Sequence, residues 1–348
     1  VKPVNKFARW AWLPVASLLS ACSPLGLVNA VSNVYSVDAV KDIPYGEGER
    51  HQLDIYLPVR PESVSDKLAT PELLFFYGGS WNSGARGDYR FVGRRLADQG
   101  YITVVADYRL YPEVRYPDFL YDSAAAVKKV HELIGSDLLA PYQPSKQITL
   151  MGHSAGAYNA AMLALDPVWL EREGLTVEAT LNGWIGVAGP YDLYPIKVED
   201  VKPVFFHPDY PADSNPIEFV SNAKVPALLL VPEDDDLVDP QKNSYSLERR
   251  LREENKDVTL QMIEGTSHTT IIGTLSPVLF FKGSSLEPLN DFMQKLSGSQ
   301  VVKFRTAESQ TAESHPEGSP RLTCFSTALY CARHKKAPDY RGFFVSVA

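Results

Sequence analysis

The segment Ile148-Thr-Leu-Met-Gly-His-Ser-Ala-Gly156 constrains this chain more than any other stretch. A short apolar run, typical of a buried strand, stops in Gly152-His153-Ser154-Ala155-Gly156. The Ala-, Leu- and Met-rich run 155–165 that follows favours helix. Strand, sharp turn and helix around G-x-S-x-G make a nucleophile elbow, where a serine hydroxyl stands clear of the backbone and can attack a carbonyl if a base lies beside it. The two glycines are expected on steric grounds, because a Cβ at Gly152 or Gly156 would strike the neighbouring strand or helix where the chain reverses. Such a pentapeptide also arises by chance in a chain with 22 Gly. Its weight therefore comes from the strand before it and the helix after it.

The rest of the chain supplies matching elements. Residues 38–59 read as two strands around the turn Tyr45-Gly-Glu-Gly48, with Leu53, Ile55 and Leu57 alternating. Leu73 to Tyr77 is a buried strand that stops in Gly78-Gly79-Ser80-Trp81. Consecutive glycines there let backbone N–H groups turn inward, as an oxyanion hole requires. A helix follows over 88–99, closed by Gly100, then the strand Ile102 to Ala106, then a helix with Leu120, Ala124, Val127, Val130 and Ile134 on one face. Beyond the elbow come strands at 184–188, 226–231 and 258–263, and a helix at 247–254. The last element is an amphipathic helix with Leu286, Leu289, Phe292, Met293 and Leu296 on its apolar face and a capping box from Ser284 to Glu287. Alternating strands and helices predict an α/β domain over 38–296, built on a mostly parallel sheet covered by helices on both faces. The Pro- and Asp-rich stretch 193–221 lacks periodicity and is expected to form a cap or lid over the carboxyl ends of the strands.

Composition narrows the function. The chain has 348 residues and a net charge of −8, which disfavours nucleic acid as a partner. Lys2, Lys6 and Arg9 precede an apolar run from Trp10, too short to span a bilayer, that ends in Leu19-Ser20-Ala21-Cys22. Residues 1–21 read as a secretory signal peptide, and the ending resembles the lipobox of bacterial lipoproteins. Cys22 is then a lipidated N-terminus, residues 22–37 are a linker, and the protein is expected to be exported and lipid-anchored to the membrane of a bacterial cell envelope, on a periplasmic or outer-membrane face. The other cysteines, Cys324 and Cys331, lie far from the elbow, so no thiolate metal site or disulfide scaffold is expected in the domain. Residues 297–348 are polar, repeat Thr-Ala-Glu-Ser at 306–309 and 311–314, and are expected to be a disordered tail.

A serine nucleophile needs a base and an acid. Of the histidines after the 226–231 strand, His315 and His334 fall in the tail, which leaves His268, at the exit of the next strand. His153, beside the serine, reads as packing. Between strand and base stand Asp234, Asp235 and Asp236, and chemical type cannot choose among them.

Taken together, Tyr77-Gly78-Gly79-Ser80-Trp81 with Gly84, Asp107-Tyr108-Arg109, the elbow, Asp235 with Val238, and Gly265-Thr-Ser-His268 resemble a bacterial α/β-hydrolase of the carboxylesterase and feruloyl-esterase-like group, related to hormone-sensitive-lipase-type esterases and arylformamidases. The resemblance covers residues 38–296 and implies the eight-stranded type of sheet that this fold uses. It departs from the family pattern at Tyr77, where His is usual, and at Val231-Pro232, where His-Gly is common. Its spacing of acid to valine selects Asp235, with Asp236 as the alternative. It implies Ser154 as nucleophile, His268 as base, Asp235 as the acid that orients the base, and an oxyanion hole of N–H groups from Ala155 and from Gly79 or Ser80. Trp81 and Tyr191 are expected to shape the substrate pockets. A small-molecule ester is the expected substrate, with no metal or cofactor. Amide hydrolysis of the arylformamidase kind remains the alternative, because one triad serves both reactions. A non-catalytic binding role is disfavoured by the presence of all three residues.

Overall fold

A computed structural model describes residues 24–59, 70–279 and 283–298. The expected signal peptide, Cys22, and the tail beyond Gly298 lie outside the described residues. Eight strands form one sheet in the order β1-β2-β4-β3-β5-β6-β7-β8. The hairpin β1 (Asp38–Pro44) and β2 (Gln52–Leu57) is antiparallel, and β2 also pairs antiparallel with β4 (Ile102–Ala106). Every other pairing, among β3 (Thr70–Phe76), β4, β5 (Pro144–His153), β6 (Leu181–Val187), β7 (Ala227–Asp234) and β8 (Val258–Ser267), is parallel. Because these strands run the same way, their carboxyl ends share one edge of the sheet. That edge is where an open α/β sheet offers a ligand crevice.

All five residues of β4 and the last six of β5 are buried. Successive side chains of a strand point to opposite faces, so both faces must be covered. Six helices matter here: α1 (Pro24–Val31), α2 (Arg90–Asp98), α3 (Asp118–Ile134), α4 (Ala155–Leu165), α5 (Ser246–Glu253) and α6 (Leu286–Leu296). The predicted helices and strands appear with shifted ends. β8 continues to Ser267 and so delivers the chain directly to His268.

Two expectations are corrected. Part of the linker segment is α1 and a 3-10 turn at Ser32–Val34, docked on the domain. Its Asn29 accepts from the Phe91 N–H (3.0 Å) and donates to the Asp88 carbonyl (2.7 Å). The first turn of α2 has N–H groups with no intrahelical acceptor, and a distant asparagine satisfies one of them. The capping box at the start of α6 does not form. The N-cap is Ser285 and its side chain caps nothing in α6. Instead Ser285 Oγ donates to the Ile271 carbonyl (3.2 Å) and lies 2.8 Å from Thr274 Oγ1, tying α6 to the turn of helix that follows His268.

Glu72 lies within β3, fully buried, with no hydrogen-bond partner for either carboxylate oxygen among the described residues. Burial pushes its pKa up to about 8. The folded protein then keeps a proton at pH 7 that the unfolded chain releases above its ordinary carboxylate value. Stability should therefore be greatest below about pH 4.5, fall as pH rises toward 8, and change no further from this group above that. Glu72→Gln should flatten the decline, with a gain that appears at pH 8 and vanishes at pH 4.5. Urea unfolding of both proteins at the two pH values checks this.

Candidate active site

The elbow is held by close backbone packing. A Cβ on Gly152 would fall on the Gly156 carbonyl in α4, and one on Gly156 would fall on the Phe76 carbonyl at the end of β3. With no room for side chains at either point, α4 starts directly against β3 and β5. Ser154 pays for the tight reversal with φ 53° and ψ −119°, a conformation that costs an L-residue about 1–3 kcal/mol. Its N–H donates to the Val187 carbonyl (2.9 Å), and its own carbonyl accepts from Ala157 (2.9 Å) and Tyr158 (3.2 Å). Those bonds and the fully buried α4 hold the strained residue in place.

Ser154 Oγ lies 2.9 Å from His268 Nε2, and His268 Nδ1 lies 2.8 Å from Asp235 Oδ2. The other Asp235 oxygen accepts from the N–H groups of Leu237 (3.0 Å) and Val238 (2.8 Å). A carboxylate only accepts, so Nδ1 carries the imidazole proton and Nε2 is free to take one from the serine. The His268 and Asp235 side chains are only 5% and 1% exposed. Asp234 and Asp236 are exposed to solvent. The acid that caps the next turn is Asp239, which accepts from Gln241 (3.0 Å) and Lys242 (3.3 Å). Glu233 joins the exits of β7 and β8 by accepting from the Gly265 N–H (2.8 Å), and Thr270 Oγ1 accepts from the Ser267 N–H (2.8 Å) just before His268.

The loop after β3 has three successive residues at positive φ: Gly79 (132°), Ser80 (52°) and Trp81 (57°). The N–H groups of Asn82 and Ser83 both return to the Gly79 carbonyl at 3.0 Å, which closes the turn. Ser80 and Ala155 border the cavity beside Ser154, and Gly79 lies one residue behind. Ala155 opens α4, so its N–H has no carbonyl one turn back to meet. Tyr77, at the first departure from the family pattern, is a buried support beneath the loop. It stacks on Tyr108 (4.8 Å between ring centres) and Tyr89 (5.7 Å), and Arg50 donates to its hydroxyl (3.3 Å) and to the Gly84 carbonyl (3.1 Å). At the second departure, Val231 and Pro232 are both buried in β7.

Residues 53–251 match the BD-FAE family. The chain belongs to the BD-FAE family. Over 162 residues it is 31% identical to a probable isoprenylcysteine alpha-carbonyl methylesterase of Oryza sativa subsp. japonica, covering 46% of this chain and 37% of that protein. Over 239 residues it is 28% identical to a kynurenine formamidase of Danio rerio, covering 67% of this chain and 76% of that protein. The match thus spans little more than a third of the plant methylesterase. Among solved structures, esterase B from Lactobacillus rhamnosis superposes with a TM-score of 0.62 at 18% identity, covering 81% of this chain and 93% of that one. A truncated carbohydrate esterase from gut microbiota gives 0.58 at 20% identity, covering 76% and 98%. The eight-stranded, mostly parallel sheet is that of an α/β-hydrolase.

In this BD-FAE chain a cavity of about 100 Å³ opens beside Ser154, and the 193–221 insertion builds one wall of it with Leu193, Ile196 and Val201. Trp81 lines the cavity from the other side while only 2% exposed, its indole N–H donating to Asn159 (3.0 Å) and its ring edge-on to Phe205 (5.0 Å). Tyr191 does not line it. The Asn243 side chain accepts from the Tyr191 (2.8 Å) and Asp192 (2.9 Å) N–H groups, and the pinned backbone turns the ring into the core, against Trp184 (5.9 Å) and Gly186. Pro190 and Asp192 border the cavity instead. Sequence reasoning missed Asn159 and Asn243. Asn159 left a signal, a lone amide within the apolar run Ala155–Leu165, whereas Asn243 left none.

The geometry distinguishes the three aspartates. Asp235→Asn replaces an acceptor by a group that can present its amide to Nδ1 and favour the wrong tautomer, and should slow fluorophosphonate labelling of Ser154 by about four orders of magnitude. Asp234→Asn and Asp236→Asn should stay within about tenfold of the parent protein. Labelling time courses on the three variants check the ranking.

Proposed function

We propose that this protein is a serine hydrolase of carboxylic esters that works through an acyl-enzyme. The observation that carries the reading is the unbroken series of hydrogen bonds from Asp235 through His268 to Ser154, beside a cavity lined by apolar side chains together with Asp192, Lys197, Asp239 and Lys242. As Ser154 Oγ attacks the ester carbonyl, its proton passes to His268 Nε2, and Asp235 steadies the imidazolium. The oxyanion is met by the N–H groups of Ala155 and Ser80, with Gly79 setting the turn; a single such donor is commonly worth about 100- to 1,000-fold in rate. His268 then returns the proton to the departing alcohol. A water attacks the acyl group with the same base, and the carboxylic acid leaves.

Amide hydrolysis is the second reading. The specific support for it is that the match to the kynurenine formamidase spans 76% of that protein, twice the share matched of the plant methylesterase. A formyl group is the smallest acyl group and would make the least demand on the cavity, whose wall includes Leu193 and Ile196.

The export reading rests on residues 1–22, with the lipobox Leu19-Ser20-Ala21-Cys22 as the attachment point. Several acyl chains hold a protein at a bilayer far more firmly than one. The substrate would then be met at the cell envelope.

Fluorophosphonate should label Ser154 and abolish activity, and Ser154→Ala should lose both. Unchanged labelling in that variant would remove Ser154 from the reaction. A panel of short and long acyl esters, aryl esters and formanilides should give its highest kcat/KM on a short-chain or compact ester, and a preference for formanilides would select the amide reading. For the anchor, the protein should sediment with membranes of a bacterial host, and a Cys22→Ala variant still processed at the same site and still membrane-bound would refute lipidation at Cys22.

A further inference from the structure

His153 occupies the variable position before Ser154 in the elbow, where a packing side chain would suffice. Its ring is buried, and Nε2 lies 2.9 Å from the main-chain oxygen of His268. A carbonyl only accepts, so Nε2 carries the proton and Nδ1 presents a bare lone pair. Nδ1 has no hydrogen-bond partner among the described residues. It faces the loop after β3: a Cβ on Gly78 would stand 2.9 Å from Nδ1 and 3.0 Å from Ser154 Cβ. The His153 and His268 ring centres are 5.3 Å apart, inclined at 42°. One side chain thus touches the loop that carries Gly79 and Ser80 and the residue proposed as base.

We propose that His153 is a positioning residue, which holds the main-chain carbonyl of His268, and with it the imidazole, in register with Ser154 and the Gly78–Ser80 loop. The inference rests on the reading of Ser154 as nucleophile. A buried polar group is costly unless its hydrogen bond is needed, and an apolar ring of the same size would fill the space without leaving a nitrogen unpartnered. The bond it makes goes to the backbone of the base. Misplacement by about 1 Å can cost a reaction of this kind about 100-fold. Burial, and then the charge that His268 acquires, hold the His153 pKa down at about 3, against the hydrogen bond to the His268 carbonyl and the charge of Asp235, which act the other way. The strut therefore stays neutral and adds no second positive charge beside the imidazolium formed during the reaction.

The test compares the parent protein with His153→Phe, which keeps a ring but no donor, and His153→Gln, whose amide nitrogen reaches about as far as Nε2. Melting temperature, kcat and KM on an aryl ester, and the rate of Ser154 phosphonylation are measured for each. His153→Phe should lower kcat and phosphonylation by about 100-fold with KM changed less than about threefold, and His153→Gln should recover to within about tenfold of the parent. A fully active Phe variant overturns the proposal, and so does a Gln variant as impaired as Phe, since shape alone would then matter. Should neither variant fold, nitrogen NMR of the parent protein decides: His153 is expected as the neutral Nε2–H tautomer from pH 5 to 8, and either the Nδ1–H tautomer or a titration in that range refutes the strut. An unlabelled Ser154 in the parent protein would defeat the nucleophile reading, an outcome separate from any result at His153.

Discussion

The backbone of α4 lies against β3 and β5 at two glycines, and the arrangement of the site depends on that contact. With a side chain at Gly152 or Gly156, the carbonyls of Gly156 or Phe76 would have to move, and the helix could not start where it does. Because it starts there, Ser154 is forced to φ 53°, and Ser154 and Ala155 are left bordering the cavity. The strain is sustained by burial: every residue of α4 is buried, so relaxing the elbow would mean undocking the helix.

The second demand is reach. Ser154 leaves β5 and His268 leaves β8, three strands further along the sheet, or about 14 Å at the usual strand spacing. His268 has to cross the ends of β6 and β7 to meet Ser154, and a flexible loop would not hold it to hydrogen-bonding distance. The structure answers with fastenings at each stage. Glu233 joins the exits of β7 and β8, Thr270 receives the Ser267 N–H, Asp235 receives the imidazole, and His153 takes hold of the His268 carbonyl. Asp235 and Glu72 show what surroundings do to the same kind of group. Three donors converge on Asp235, and hydrogen bonds to an ionised acceptor are among the stronger ones. No donor among the described residues reaches Glu72, and it retains its proton.

This contrast explains what could be read in the sequence. Strands, helices and the elbow depend on local patterns of apolar residues and glycines, and those appear in the structure within a few residues of their expected places. The family resemblance selects Asp235 by its spacing to Val238, and its carboxylate does accept the Val238 N–H. The features that escaped depend on partners far along the chain. Asn29 meets Phe91 across 62 residues, Trp81 meets Asn159 across 78, and Tyr191 meets Asn243 across 52. No periodicity encodes such pairs. The same cause misled the expectations at Tyr191, turned inward by Asn243, and at the start of α6, where Ser285 is drawn to Ile271 and Thr274.

The cavity walls differ in how freely they can be altered. The insertion expected to be a cap is tied into the core: Val204, Phe205 and Ile217 are buried, the Val204 carbonyl accepts from the Tyr116 N–H (3.1 Å), and the Ile217 N–H donates to the Tyr191 carbonyl (3.0 Å). Trp81 belongs to both cavity and core, since it packs on Phe205, Phe119 and Tyr158 while lining the cavity. Truncating it would empty part of the core, a change that costs about 3–5 kcal/mol for a large buried aromatic. Leu237, Lys197 and Val198 border the same cavity but are exposed or half-exposed. Substitutions there carry no such cost, so the rim formed by 197–198 and 237 can be altered freely, while Trp81 stays fixed by its packing.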